Sequence, residues 1–114
     1  MDNRPIGIFD SGVGGLTVAK EILKALPNEN IVYFGDTARV PYGDKSKEVV
    51  TKYSKQIVRF LLTKNVKAII TACNTVSSNS LDDLRSEFDV PFVGVVEPGV
   101  KSVINTTVNK KVGI

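Results

Sequence analysis

Short apolar runs alternate along the chain with stretches whose apolar residues recur every three to four positions. Runs of the first kind read as buried strands and stretches of the second as amphipathic helices, and their alternation predicts consecutive βαβ units around a parallel sheet. Residues 5–9 form the first predicted strand, which stops at Asp10-Ser11-Gly12-Val13-Gly14-Gly15. Leu16, Ala19, Ile22, Leu23 and Leu26 then keep helical spacing until Pro27 ends the pattern. Residues 31–34 predict a second strand, closed by Gly35-Asp36 and followed by a loop that contains Pro41-Tyr42-Gly43. Ser46 is placed to cap a long helix in which Val49, Val50, Tyr53, Ile57, Phe60 and Leu61 share a face, with Glu48 favourably set in the first turn.

Residues 66–72 predict the third strand, and Cys73-Asn74-Thr75 stands where it hands over to one helix carrying Ser77, Leu81, Leu84 and Phe88 in register. Residues 91–96 predict a fourth strand that runs into Glu97-Pro98-Gly99. Val100, Val103, Ile104 and Val108 mark a further helix, and residues 111–114 open a fifth strand with no turn or cap behind it. An apolar strand cut at its opening predicts a truncated chain. Val112-Gly113-Ile114 also echoes Ile6-Gly7-Ile8, as the start of a second, similar unit would. The expected division is an N-terminal domain over residues 1–98, then a linking helix and the first strand of a truncated second domain over 99–114. The fold class is α/β, an open doubly wound parallel sheet in three layers, flavodoxin-like or Rossmann-like.

Composition narrows the partners. With 114 residues the chain has room for one compact domain, against about 150 residues per domain in general. No apolar run approaches the roughly 18 residues of a membrane span, and no signal-peptide core precedes Asp10, so the expected compartment is the cytoplasm and no membrane partner is expected. One cysteine cannot make an internal disulfide, and the absence of histidine removes the usual zinc-ligand sets, so no metal is expected. The net charge of +3 is spread over separated lysines (Lys20, Lys24, Lys45, Lys47, Lys52, Lys55, Lys64, Lys67), most of which read as solvated helix faces. A nucleic-acid surface needs a dense basic stripe with interleaved aromatics, and none is written here.

In open α/β sheets, ligands bind beyond the carboxyl ends of the strands. The residues there are polar: Asp10 and Ser11, then Asp36 with the Tyr42-Gly43 loop, then Cys73, Asn74 and Thr75, then Glu97. An acid, a thiol, hydroxyls and an amide on one edge, beside helix N-termini with free N–H groups, suit a small anionic substrate, with a carboxylate the natural guess. A free cysteine is commonly a small buried hydrophobe. At a helix N-terminus, however, the positive end of the dipole favours thiolate over thiol and makes the sulfur a usable base or nucleophile. Asp10 reads equally as a helix cap and as a partner in proton traffic; Ser11 and Thr75 as caps, Asn74 as a turn residue, and Tyr42 as a rim aromatic.

Sharper motifs are absent. The glycine loop fails the dinucleotide pattern G-x-G-x-x-G at Thr17, and no phosphate-loop lysine follows it. A phosphatase-like loop needs arginine where Asn79 stands, and a cysteine–histidine dyad is impossible without histidine.

Three motifs in order, Gly7-Ile8-Phe9-Asp10-Ser11-Gly12-Val13-Gly14-Gly15-Leu16-Thr17, Gly35-Asp36-Thr37-Ala38 with Pro41-Tyr42-Gly43, and Ala72-Cys73-Asn74-Thr75, closely resemble those of the glutamate racemases within the aspartate/glutamate racemase family. Together with Gly94-Val95-Val96-Glu97-Pro98 the likeness spans nearly the whole chain, as the N-terminal portion of such an enzyme. The resemblance implies a two-domain isomerase that interconverts L- and D-glutamate without a cofactor, supplying D-glutamate for peptidoglycan synthesis, cell-wall biogenesis and cell shape. Two cysteines face opposite sides of the substrate α-carbon. One, as thiolate, removes the proton, and the other, as thiol, delivers one to the opposite face. Cys73 matches the N-terminal cysteine and Asp10 the acid that assists it. Ser11, Tyr42, Gly43, Asn74 and Thr75, with Pro41 shaping the loop, match the substrate-binding set, to which Asp10 also belongs. The second cysteine and the histidine beside it are absent, so the chain alone is expected to be inactive. Oligomeric state is not written in the sequence, and a homodimer of the full-length enzyme is compatible with it. The competing readings are a non-catalytic α/β module that binds a small anion, with Cys73 structural, and a thiol-dependent hydrolase, which the lack of a histidine base disfavours.

Overall fold

The computed structural model describes residues 3–10, 20–21, 24, 27–36, 39 and 42–94, the side chain of Asn74 excepted. Ser11 and the glycine loop, Pro41, Glu97, the end of the predicted fourth strand and all that follows it lie outside the described residues. Of the first predicted helix, Lys20, Glu21 and Lys24 are described, and all three are helical.

The described strands are β1 (Ile6–Asp10), β2 (Ile31–Gly35), β3 (Ala68–Thr71) and β4 (Phe92–Gly94). They form one parallel sheet in the order β2-β1-β3-β4. Every residue of β1 and β3 is buried, the condition of parallel strands covered on both faces, which is why both read as continuous apolar runs. On β2 the side chains are half-buried or exposed. The chain leaves β1 to one side to form β2 and returns to the other side to form β3, so the order reverses between β1 and β3.

Helix α1 (Lys47–Leu62) begins where Ser46, in an extended conformation, accepts the Val49 N–H on its Oγ at 3.2 Å. The cap satisfies one of the N–H groups that the first turn cannot bond internally. The buried face is Val50, Ser54, Ile57, Val58 and Leu61, at the i, i+4, i+7, i+8, i+11 positions of a helical stripe. This differs from the expected face: Val49 is only half-buried, and Phe60 is exposed, tilted against Phe34 at 5.4 Å with Lys64 over its ring. Ser54 enters the core because its hydroxyl donates to the Val50 carbonyl at 2.7 Å, leaving no donor unmet. The helix ends at Thr63, and Asn65 then takes φ 58°, a left-handed turn that asparagine tolerates. The core side chains Ile57, Val58 and Leu61 each contribute about 1.5–3 kcal/mol by leaving water.

The single helix expected after β3 is two helices, α2 (Asn74–Asn79) and α3 (Leu81–Glu87). Ser80 separates them at φ −125°, ψ −5°, and its Oγ lies 2.7 Å from Thr51 Oγ1 on α1. A tertiary contact competes here with helical continuity, while Leu81 and Leu84 still reach the core.

Lys67 is an exception among the lysines. It is not solvated: its side chain is 1% exposed, with Nζ 2.6 Å from Oε2 of the partly exposed Glu29 at the sheet's amino end. Among the described residues no helix is long and apolar enough to cross a membrane.

Candidate functional site

The carboxyl ends of β1, β2 and β3 deliver three groups to one edge. Phe9 pairs with Thr71, and the Ala72 N–H donates to the Phe9 carbonyl at 2.7 Å, so Asp10 and Ala72-Cys73 leave the sheet on neighbouring strands. On the other side Asp10 pairs with Gly35, and the Asp36 N–H donates to the Asp10 carbonyl at 2.9 Å. Asp10, Asp36 and Cys73 therefore flank the point at which strand order reverses, where open α/β sheets form a crevice.

Asp10 is 1% exposed. Its Oδ2 accepts the Tyr33 hydroxyl at 2.7 Å, and its Oδ1 has no hydrogen-bond partner among the described residues. Tyr33 reaches it from β2 by lying along the strand over Gly35, where a Cβ would stand 3.2 Å from the tyrosine oxygen. Burial, then the hydrogen bond to Asp10 and its charge, push the Tyr33 phenol up to about 12, so it remains a donor at neutral pH.

Asp36 is buried as well, and its Oδ2 accepts both Tyr42 Oη at 2.5 Å and Arg39 Nε at 2.7 Å. Arg39 in turn donates to Gln56 Oε1 at 2.6 Å and stacks 3.9 Å from the Tyr53 ring centre, both on α1. Tyr42 opens the short 3-10 turn Tyr42–Asp44 and is 2% exposed, its ring edge-on to Phe9 at 6.5 Å. The rim position expected for Tyr42 is thus a core position. Burial and the Asp36 hydrogen bond and charge drive its phenol strongly upward, Arg39 opposes, and proximity to Cys73 adds to the rise. The hydroxyl is committed to Asp36, leaving the backbone of the turn as the part of Tyr42 able to meet a ligand. Gly43 is exposed, and a Cβ there would meet nothing within 4 Å.

Cys73 is the N-cap of α2, at φ −98° and ψ 124°, and makes no side-chain capping bond. It is 7% exposed and packs in the cluster that contains Phe9, Tyr42 and Val76. Asn74 is the first residue of α2, and Thr75, half-buried, the second. The turn is anchored from behind: Thr71 Oγ1 lies 2.8 Å from Ser77 Oγ, and Ser77 Oγ reaches the Thr71 carbonyl at 3.2 Å. Gly94 lets α2 and α3 sit close to β4, since a Cβ there would lie 2.9 Å from Leu81 Cδ2 and 3.2 Å from Ser77 Cβ.

The structure brings Asp10, Cys73, Thr75 and the Tyr42-Gly43 turn to the same edge of the sheet; Ser11 and Pro41 lie outside the described residues. Two contributors were not marked by motif. Tyr33 looks like an ordinary strand aromatic, and only its spacing two residues before Gly35 hints at a path along the strand. Arg39 stands three residues after Asp36 in a loop, a spacing that carries no signal of their ion pair. Among the described residues no cluster of three or more His, Cys, Asp or Glu side chains is assembled for a metal.

No family model matches the chain. Curated relatives do: glutamate racemase of Lactococcus lactis subsp. cremoris is 54% identical over all 114 residues, which make up 42% of that protein. Among solved structures, glutamate racemase from Thermus thermophilus in complex with β-chloro-D-alanine superposes with a TM-score of 0.80 at 56% identity, over 84% of this chain and 38% of that one. Glutamate racemase from Francisella tularensis in complex with D-glutamate superposes with a TM-score of 0.79 at 48% identity, over 93% of this chain and 40% of that one. The chain is similar along its whole length to the N-terminal portion of these enzymes and spans about 42% of the length of the curated relatives it matches.

Proposed function

We propose that this chain is the Cys73-bearing portion of a glutamate racemase, an isomerase that interconverts L- and D-glutamate without a cofactor. The observation that carries the reading is the placement of a buried carboxylate, Asp10, and a thiol, Cys73, at adjacent strand ends where the strand order reverses. Identity near 50% to enzymes of that activity, one of them solved with D-glutamate bound, supports the substrate.

In this mechanism Cys73, as thiolate, takes the α-proton of one glutamate enantiomer. The resulting carbanion receives a proton on its opposite face from a second thiol, and the roles exchange in the reverse direction. Removing an α-proton from an amino acid needs a base in contact with it and electrostatic support for the charge left behind. Asp10 assists the proton traffic of Cys73 through the oxygen that Tyr33 does not occupy. Asp10, Ser11, the Pro41-Tyr42-Gly43 turn, Asn74 and Thr75 hold the substrate, with backbone N–H groups of the turn and of the start of α2 suited to its carboxylates. Cys73 is the single cysteine of the 114 residues, so the second thiol belongs to a longer polypeptide. The product would serve peptidoglycan synthesis in the cytoplasm.

The 114-residue chain and the full-length enzyme that contains it separate this reading from a non-catalytic anion-binding module. D-glutamate formation from L-glutamate should be negligible with the chain alone. It should be present with the full-length enzyme and reduced at least about a hundredfold by Cys73→Ser, since a lost general base costs about 10²–10⁴. Full activity in Cys73→Ser would favour the module.

A further inference from the structure

A carboxylate that guides a proton must present one defined oxygen, and a buried aspartate can swing about its terminal bond unless something holds it. At Asp10 the holding group is on another strand. Tyr33 Oη donates to Oδ2 at 2.7 Å, and Oδ1, equally buried, is left without a partner among the described residues. Buried polar atoms are almost always bonded, so an orphaned carboxylate oxygen at a strand end marks a place where a transient partner is expected.

The approach of Tyr33 is itself specific. Ile8 pairs with Tyr33 and Asp10 with Gly35, so Tyr33 sits one pleat behind Asp10 on the neighbouring strand. Its ring can lean forward to the carboxylate because position 35 has no side chain; a Cβ there would press on the hydroxyl at 3.2 Å and on the ring at 3.3 Å. Tyr33 as a whole remains 37% exposed, so packing alone does not fix its hydroxyl, and the hydrogen bond to Asp10 supplies a definite anchor.

We propose that Tyr33 is a positioning residue for Asp10: its hydroxyl locks Oδ2 and thereby dedicates Oδ1 to the proton moved at Cys73. The inference rests on the racemase reading, in which Asp10 assists that cysteine. Tyr33 touches neither substrate nor sulfur in this scheme; it acts through the carboxylate, with Gly35 keeping the path open.

The experiment is a double-mutant cycle in the full-length enzyme, with kcat and KM for racemisation measured for wild type, Tyr33→Phe, Asp10→Ala and the double variant. Tyr33→Phe should lower kcat about tenfold, the worth of one such hydrogen bond, with KM within about twofold of wild type. In the Asp10→Ala background the same change should alter kcat less than about twofold, because the group it positions is gone. Gly35→Ala, which displaces the hydroxyl without removing it, should also lower kcat and supplies the test if Tyr33→Phe folds poorly. Unchanged kcat in folded Tyr33→Phe, or a full tenfold loss in the Asp10→Ala background, overturns the role of Tyr33 while leaving the racemase reading intact. Full activity in Asp10→Ala overturns the assisting role of Asp10 and with it that of Tyr33, whereas no racemisation by the wild-type full-length enzyme overturns the racemase reading itself.

Discussion

Buried carboxylate oxygens need donors, and the two carboxylates at the mouth of this sheet are each met by a tyrosine: Asp10 by Tyr33, Asp36 by Tyr42. The second pair fixes a turn. Tyr42→Phe leaves Asp36 with Arg39 as its remaining side-chain donor among the described residues, and the loss should cost about 1–3 kcal/mol of unfolding free energy, read by urea denaturation. The first pair carries a pH signature. Tyr33 titrates at about 12 in the folded chain, against about 10 for a free phenol. As pH rises from 10 towards 12 the unfolded chain gives up a proton that the folded chain keeps, so stability is full below pH 10 and declines through that window. Tyr42, also pushed upward, acts in the same direction. Equilibrium unfolding between pH 9 and 12 should show a shallower decline in Tyr33→Phe than in wild type. Tyr33 was also the least legible residue in the sequence. Tyr33 and Asp10 are 23 positions apart, and nothing local distinguishes a phenol aimed at a carboxylate from one on a strand surface.

At the scale of elements, most of the pattern was legible because it is local. The strand cores are continuous apolar runs, the Ser46 cap lies beside its helix, and Cys73 falls where β3 ends. What escaped depends on distant partners: the break at Ser80 is held by Thr51 of α1, and the burial of Lys67 by Glu29, 38 positions away. The seat of α2 and α3 on β4 is another such contact. Gly94→Ala places a methyl group 2.9 Å from Leu81 Cδ2 and 3.2 Å from Ser77, whose hydroxyl ties α2 to Thr71. Overpacking of this kind costs about 1–3 kcal/mol, and a lowered melting temperature by circular dichroism is the expected result. Because Ser77 lies one turn beyond Cys73, the substitution should also change the rate at which a small alkylating reagent reaches the thiol.

For the molecule as a whole, function follows from strand order. Strand order reverses between β1 and β3, the kind of place where open α/β sheets bind ligands, and the chain puts its one cysteine and a buried aspartate at their carboxyl ends. The edge could be foreseen from the alternation of runs and helices. The two clamps behind it, Tyr33 on Asp10 and Arg39–Asp36–Tyr42 on the turn, could not, since they form only once the sheet has assembled. On the proposed reading, a sheet that brings one thiol and one carboxylate to adjacent strand ends supplies half of a two-base racemase. The most direct check is solvent exchange at the substrate α-carbon in D₂O, followed by proton NMR with the full-length enzyme and its Cys73→Ser variant. Each glutamate enantiomer is supplied separately. If Cys73 is a base, wild type incorporates deuterium from both enantiomers, and the variant loses exchange from the enantiomer whose proton Cys73 removes. Undiminished exchange from both enantiomers in Cys73→Ser would contradict the account.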